Sequence, residues 1–546
     1  MNQPQQPTWN LESQFTGLDD LEYIKEREAL TDLLSNGACR GIEAVELILQ
    51  RISHLRTYLS CLRGRDTSDR SVALQRQLVG DLEQCALECL DRELLERGGG
   101  ELSNPWLSRR RARLPNSSVV RNLISSIYSN ALNPNEQRYF RLAGSVRFRL
   151  PNSTDELRAS ELAKHFGSED PIVRQAARDS FSAGWRSVSA DAAELLSGIV
   201  GFRIKISEAL GFVDPLDLSL GDNQVSTDEF HSFEQVWRSA ARTAAERLDK
   251  TEAHDRAYLG SRHIRRNEKT SEISWPQAHS ILLESFSELS PSFASFFELA
   301  LDRGWIETRM GRQGVGGAFC TTSAKSGVPW VYAPFDGSLK AVLTLAHELG
   351  HAFHNWSMRG LTYWERSSPT VLRESLSTLG ESAVERHLSS DSSYQADIAE
   401  VIAENAVTFL CDLQCRYLFE RRAIEERRSR PLRPESLDSL MSWAQETVLG
   451  AVETSPSYWA SRLHFFLASE PYYNWSYGFA YLFSRSLSDS AFQLDRRSRD
   501  SWLIDLASST GLRSPKEIAE MSGGSVDTQL NSSLRWLETS LEDWRG

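Results

Sequence analysis

The chain of 546 residues is poor in cysteine, in lysine and in long apolar runs. Its seven cysteines are an odd and sparse set, and none stands in a C-x-x-C pair. That excludes a zinc ribbon or a thioredoxin-like motif and points to buried free thiols, which suits a reducing compartment. No apolar run approaches the roughly 20 residues that a membrane span needs. The opening stretch MNQPQQPTWNLESQF has neither the charged nor the apolar region of a secretory signal. A cytoplasmic protein without a membrane partner is therefore expected, in which sequons such as those at Asn116 and Asn531 carry no glycosylation message. Only eight lysines accompany 53 arginines, which reads first as compositional bias. A formal net charge of −13 argues against nucleic acid as a partner.

What is present describes a soluble globular protein of two or three lobes, with 40% hydrophobic and 25% charged residues and a mean hydropathy of −0.40. Apolar stripes at helical spacing run through Asp19–Leu59, with a break at Asn36-Gly37, and through Val72–Leu95, Ser117–Leu132, Ser153–Phe166 and Pro171–Leu210. Asp170-Pro171 supplies an N-cap and a first-turn proline for the last of these. Arg97-Gly98-Gly99-Gly100 is a breaker, and the segment from there to Pro115 reads as a loose loop. Its arginine run at 109–113 reads as a solvated face. Between Gly311 and Phe335 the texture changes. The glycine-rich GRQGVGGAFCTT leads into a strand at Ala318–Thr322, and a second strand at Pro329–Ala333 follows a hairpin-length turn, Ser323–Gly327. From Asp336 helix resumes almost to the end, with one break at Pro431–Pro434.

Directly after the strand pair comes LTLAHELGHAFHNW. His347 and His351 are four residues apart, so both imidazoles stand on one helical face and reach one metal ion. Glu348 projects beside that ion, where it can take a proton from water. Asp336 and Ser338 offer N-caps, and Val342, Leu345, Leu349 and Phe353 a buried face. The positions that would make a metzincin hold His354 and Ser357, which excludes that class. A third ligand is then a carboxylate on a later segment, with Glu365, Glu374, Glu381 and Glu385 as candidates. Spacing favours Glu374, early in a helix from Thr370, where Ser377, Thr378 and Glu381 share its face. His354 shares the face of the two histidines but sits two turns from the first, so it reads as a satisfied neighbour. Far downstream lies the aromatic stretch His464 to Tyr481, with Tyr473, Tyr477 and Tyr481 at four-residue steps. Such density is a core or an interface, or a set of donors aimed at an oxyanion.

Taken in order, PTWNLESQF, GGAFCTT, PWVYAPFDGS, LTLAHELGHAFH, VLRESLSTLGE and HFFLASEPYYNWSYGFAYLFS resemble the oligoendopeptidase F family, within the thimet-oligopeptidase-like zinc metallopeptidases. The resemblance implies a mainly α fold, with two helical lobes around a deep channel and a small antiparallel β element beside the zinc-binding helix. It implies an N-terminal helical region over 1–115, a lid-like helical domain over 116–200 and a catalytic domain over 201–546. One Zn2+ per chain is expected on His347, His351 and Glu374, with Glu348 as general base and Glu381 supporting the ligands. His464 and Tyr481 match the pair that stabilises the tetrahedral intermediate, and Tyr472, Tyr473 and Tyr477 fall in the substrate-binding loop. Arg373 departs from the family pattern, standing beside Glu374 where a small residue is usual. The expected substrates are short unstructured oligopeptides, one of them adding a strand beside Ala318–Thr322. The expected function is a zinc-dependent endopeptidase; the alternatives are a zinc carboxypeptidase or dipeptidase and a catalytically silent peptide-binding protein. Oligomeric state stays open. The mechanism needs no cysteine, and Cys320, on the expected strand, is the thiol whose reactivity is of interest.

Overall fold

In a computed structural model the described residues are 5–37, 39–97, 102, 104–115, 117–151, 153, 155–166, 168, 170–247, 272–311, 317–450 and 455–542. The glycines at 98–100, the sequon at Asn116 and the centre of the glycine-rich run, 312–316, lie outside them. The chain divides into two compact units, each assembled from three separate stretches: Met1–Leu114, Ser271–Gln395 and Ser484–Gly524 in one, Pro115–Thr270, Ala396–Phe483 and Ser525–Gly546 in the other. Helix predominates in both, and no described helix is long and apolar enough to cross a membrane.

The first unit begins with helices Leu21–Ser35, Ile42–Arg65 and Arg70–Glu96. The break expected at Asn36-Gly37 is there, with Gly37 at φ +64, and Asp20 and Asp69 cap the helices that follow them. The loop expected before Pro115 is instead helical over Pro105–Arg113. Asn104 accepts from the Leu107 amide as N-cap, and Pro105 takes the first turn. The arginine run is thereby tied down. Arg110 makes two bonds to Asp91, at 2.5 and 3.0 Å, and lies over Trp106, whose ring stacks on Trp364.

The sheet has three strands, β1 (Ile306–Glu307), β2 (Phe319–Thr322) and β3 (Pro329–Tyr332), in the order β1-β3-β2. β2 and β3 form the expected antiparallel pair, in register from Phe319 opposite Tyr332 to Thr322 opposite Pro329. β1 joins β3 in parallel; at two residues it is too short for any periodicity to reveal. The turn closes through the Gly327 amide on Ser323 O at 2.7 Å, with Gly327 at φ +71, a conformation only glycine adopts without strain. Past β3, Asp336 accepts from the Ser338 amide and hydroxyl, and Ser338 caps helix Leu339–Ser357.

That helix packs on helix Thr370–Ser389 with backbone against backbone. A Cβ built on Gly350 would lie 2.7 Å from Ser377 Cα, and one on Gly380 would lie 2.6 Å from Ala346 O. Glycine at both positions permits a separation that no other residue allows.

The described residues of the second unit are mainly helical, built on Pro171–Ser187, Ser189–Ala209, Thr227–Arg247, Leu413–Arg427, Pro434–Leu449 and Val526–Glu542. The helix expected over Ser153–Phe166 shrinks to Ala159–Leu162 and one 3-10 turn, because Phe148 and Leu157 pair instead as an isolated β-bridge. Phe230, Phe233, Trp237, Trp475 and Phe479 form one aromatic core, and Gly478 leaves room for the Trp237 indole.

Candidate metal centre and the aromatic loop

Helix Leu339–Ser357 presents His347 and His351 one turn apart, their rings 4.9 Å between centroids and nearly perpendicular. Glu374 comes in from helix Thr370–Ser389. Its Oε2 lies 3.6 Å from His347 Nε2 and 3.5 Å from His351 Nε2. Among the described residues this is the group of histidine, cysteine and acidic side chains able to hold a metal ion. At metal–ligand distances of about 2.0–2.1 Å, a tetrahedral centre sets its ligand atoms about 3.4 Å apart. The observed separations fit that spacing, and two imidazoles with one carboxylate are a donor set suited to zinc. His347 Nδ1 donates to Glu381 Oε1 at 2.6 Å, which orients the ring with Nε2 toward Glu374.

The electrostatics of the cluster follow from burial set against charge. Burial lowers the pKa of His347, but Glu374 and Glu381 outweigh it and hold the imidazole well above its ordinary value. Burial likewise opposes ionisation of Glu374, and His351 and His347 more than offset it, so this carboxyl is held well below the usual range. Glu348, 8% exposed, goes the other way: burial raises its pKa, Glu374 and Glu381 add to the rise, and the two histidines only partly counter it.

The other third-ligand candidates have different occupations. Glu365 folds back on its own loop, where Oε2 accepts from the Thr362 amide and hydroxyl at 2.9 Å. Glu385 is buried against the Arg485 guanidinium. His354 gives Nε2 to Thr510 Oγ1 at 2.6 Å, and burial depresses its pKa to about 3. Arg373 turns outward, donating to Ser368 O and Thr370 Oγ1. The Cys320 thiol, on β2, is pushed up by burial and then by the Glu348 carboxylate, which disfavours the reactive thiolate.

His464 and the tyrosines belong to the second unit. His464 Nδ1 lies 3.1 Å from Arg416 Nη1 and 3.2 Å from Asn474 Oδ1. Arg416 can only donate to this nitrogen and Asn474 Oδ1 can only accept from it, so the two contacts ask for opposite tautomers of the ring. Burial, then Arg416 and Arg462, lower the His464 pKa to about 4, so the ring is neutral near pH 7. Tyr473 packs on the His464 ring at 4.9 Å and shares a hydrogen bond between hydroxyls with Tyr477. Tyr481 is buried and stacked on Phe409.

Tyr472 adopts φ +56, which is rare for a residue with a side chain. A buried ion pair absent from the sequence reading holds it there. Glu420 Oε1 accepts from the Tyr472 amide at 2.9 Å and from Arg203 Nη1 at 3.1 Å, while the other guanidinium nitrogen bonds Leu467 O. The signal available in sequence was an arginine inside the apolar stripe Ile199, Val200, Ile204, Ile206 of helix Ser189–Ala209.

No protein-family model matches the chain, and no curated protein matches it in sequence. Solved structures do match along its length. A Chlamydophila abortus protein assigned as a peptidase aligns with a TM-score of 0.71 at 16% identity, over 98% of this chain and 97% of its own. PZ peptidase A, crystallised with an inhibitor, aligns with a TM-score of 0.70 at 14% identity, over 98% and 99%. Oligoendopeptidase F from Enterococcus faecium gives 0.69 at 13% identity, over 96% and 98%. The likeness read from short motifs is thus a likeness of fold along almost the whole chain.

Proposed function

We propose that the protein is a zinc-dependent endopeptidase acting on short unstructured oligopeptides. The observation that carries this reading is the meeting of His347 Nε2, His351 Nε2 and Glu374 Oε2 within 4.8 Å of one another, with the buried Glu348 beside them. His347, His351 and Glu374 would hold the zinc ion, which would supply Lewis-acid chemistry at the site. Glu348 takes the proton from the attacking water and delivers it to the leaving amine. Burial makes its carboxylate more basic than a solvated one, which suits both transfers. Glu381 keeps His347 in the tautomer that leaves Nε2 free to ligate.

The resemblance gives His464 and Tyr481 the task of donating hydrogen bonds to the oxygen that gains charge. The neutral His464 keeps one ring N–H, which is the kind of donor that task requires. Tyr472, Tyr473 and Tyr477 are assigned to the substrate, and the edge strand β2 to pairing with its extended backbone.

The test is cleavage of a fluorogenic peptide blocked at both termini, with and without a chelator. Hydrolysis that stops with the chelator and returns with zinc is expected; cleavage only of peptides with a free terminus would make the enzyme a carboxypeptidase or dipeptidase. Glu348→Gln should lose about 10²–10⁴-fold in turnover while retaining zinc. Turnover by that variant at the wild-type rate would overturn the role of Glu348.

A further inference from the structure

The second unit contains a cavity of about 590 Å³ that none of the groups above uses. Three helices line it, each with one face. Leu413–Arg427 contributes Gln414, Tyr417, Arg421 and Arg422 at helical spacing, together with Glu425. Thr227–Arg247 contributes Glu234, Arg238 and Arg242 on successive turns, and Pro434–Leu449 adds Trp443. Faces that meet around a space are ordinarily apolar stripes. Here they carry four guanidinium groups.

The two carboxylates in the cavity do not balance them. Glu234 is shared, at 3.6 Å from Arg238 and 3.3 Å from Arg421, and Glu425 pairs with Arg422 at 2.9 Å. Arg242 has no carboxylate partner among the described residues. Two positive charges are therefore left over, in a chain whose net charge is −13. Gln414 gives an independent sign. It is 5% exposed, and its side-chain amide hydrogen-bonds to nothing among the described residues. The amide is not one of the fully enclosed unpaired groups, so it opens onto the same cavity as the surplus charge and its donors are available there. Trp443 is exposed at the rim, with the Arg422 guanidinium 4.9 Å from its ring.

We propose that this cavity is a binding site for a small, multiply charged phosphoryl anion. Guanidinium forks match phosphoryl oxygens two at a time, and the unpaired Arg242 with the half-satisfied Arg238 and Arg421 supplies them. Gln414 offers an amide donor to an oxygen. The volume falls in the range of small-molecule sites and exceeds what a single phosphate fills. The anion is either a free oligophosphate or the phosphoryl end of a nucleotide whose base stacks on Trp443.

Calorimetric titration of the full-length protein with inorganic pyrophosphate at low salt tests this, and ADP distinguishes the two sources. One site per chain with a Kd of about 1 mM or tighter is expected. Arg242→Gln combined with Arg421→Gln should weaken it about tenfold or more, and Gln414→Leu severalfold, with zinc content unchanged in both. Tighter binding of ADP, reduced to the pyrophosphate level by Trp443→Ala, identifies a nucleotide; equal binding identifies a free oligophosphate. No detectable binding of pyrophosphate, or an affinity that the arginine and glutamine variants leave unchanged, would overturn the proposal.

Discussion

Gly350→Ala tests whether the approach of two helices builds the proposed metal centre. The added Cβ would stand 2.7 Å from Ser377 Cα and 2.9 Å from Ser377 O. Both are backbone atoms, so no side chain can swing aside. Restoring a tolerable contact requires the helices to part locally by about 0.7 Å. Overpacking of this kind costs about 1–3 kcal/mol, and the better helix propensity of alanine returns up to about 1 kcal/mol. A net destabilisation of up to about 3 kcal/mol results. The larger effect falls on the ligands. His347 and His351 sit on one helix and Glu374 on the other, with only 3.5–3.6 Å between donor atoms. A displacement of this size exceeds the roughly 0.5 Å tolerance of a preorganised site. Zinc affinity, measured by competition with a chromophoric chelator, should fall about 10–100-fold. Gly380→Ala should behave alike, since its Cβ would meet Ala346 O at 2.6 Å. Gly80→Ala is the control: helix Arg70–Glu96 leaves open space there, so the variant should gain up to about 1 kcal/mol with zinc affinity unmoved. If Gly350→Ala binds zinc within about twofold of the parent, the close approach is not what sets the ligand geometry.

Glu381→Ala should weaken zinc about 10–100-fold by freeing the His347 tautomer, read by the same competition; unaltered affinity would place the support elsewhere. Acid should destabilise the protein through buried neutral histidines. Folding depresses His54 from 6.5 to about 4, His354 to about 3 and His464 to about 4, in each case chiefly by burial. The unfolded chain therefore binds more protons below pH 6.5, so this stability is intact above that value and is lost as pH falls towards 4 and then 3. Urea midpoints across this range should decline more gently in His54→Gln; an identical slope would show that His54 titrates normally in the fold. Glu420→Ala should cost about 3–5 kcal/mol by leaving Arg203 buried and unpaired, whereas Arg203→Met with Glu420→Leu should recover much of that loss. Equal destabilisation by the single and double changes would refute the pairing.

The parts of the site legible in sequence are those whose geometry is local. His347, Glu348 and His351 lie within two turns, so one helix fixes their mutual placement, and the Ser338 cap that starts the helix is local too. The choice among four carboxylates was not local. It depends on how closely helix Thr370–Ser389 approaches, which two glycines 30 residues apart decide, and on Arg485, which engages Glu385 from 100 residues away. Helix Pro105–Arg113 escaped detection for a related reason. It buries little beyond Leu107, so no apolar stripe marks it, and its visible anchors are Asp91 and Trp364. Conversely, Ser153–Phe166 had a plausible stripe that pairing of Phe148 with Leu157 overrode.

The excess of arginine, which reads in sequence as bias, acquires structural content. Arg366 donates to three carbonyls at once, those of Leu361, Ala324 and Arg359, at 2.7–3.0 Å. Arg203 joins a carboxylate to the carbonyl of Leu467, and Arg416 joins Asp412 to the His464 ring. Each arrangement needs several donors spread over one plane, and Arg203 and Arg416 hold theirs at buried positions. An ammonium group gathers its donors at one point and is more strongly hydrated, so lysine would leave some of these acceptors unpaired.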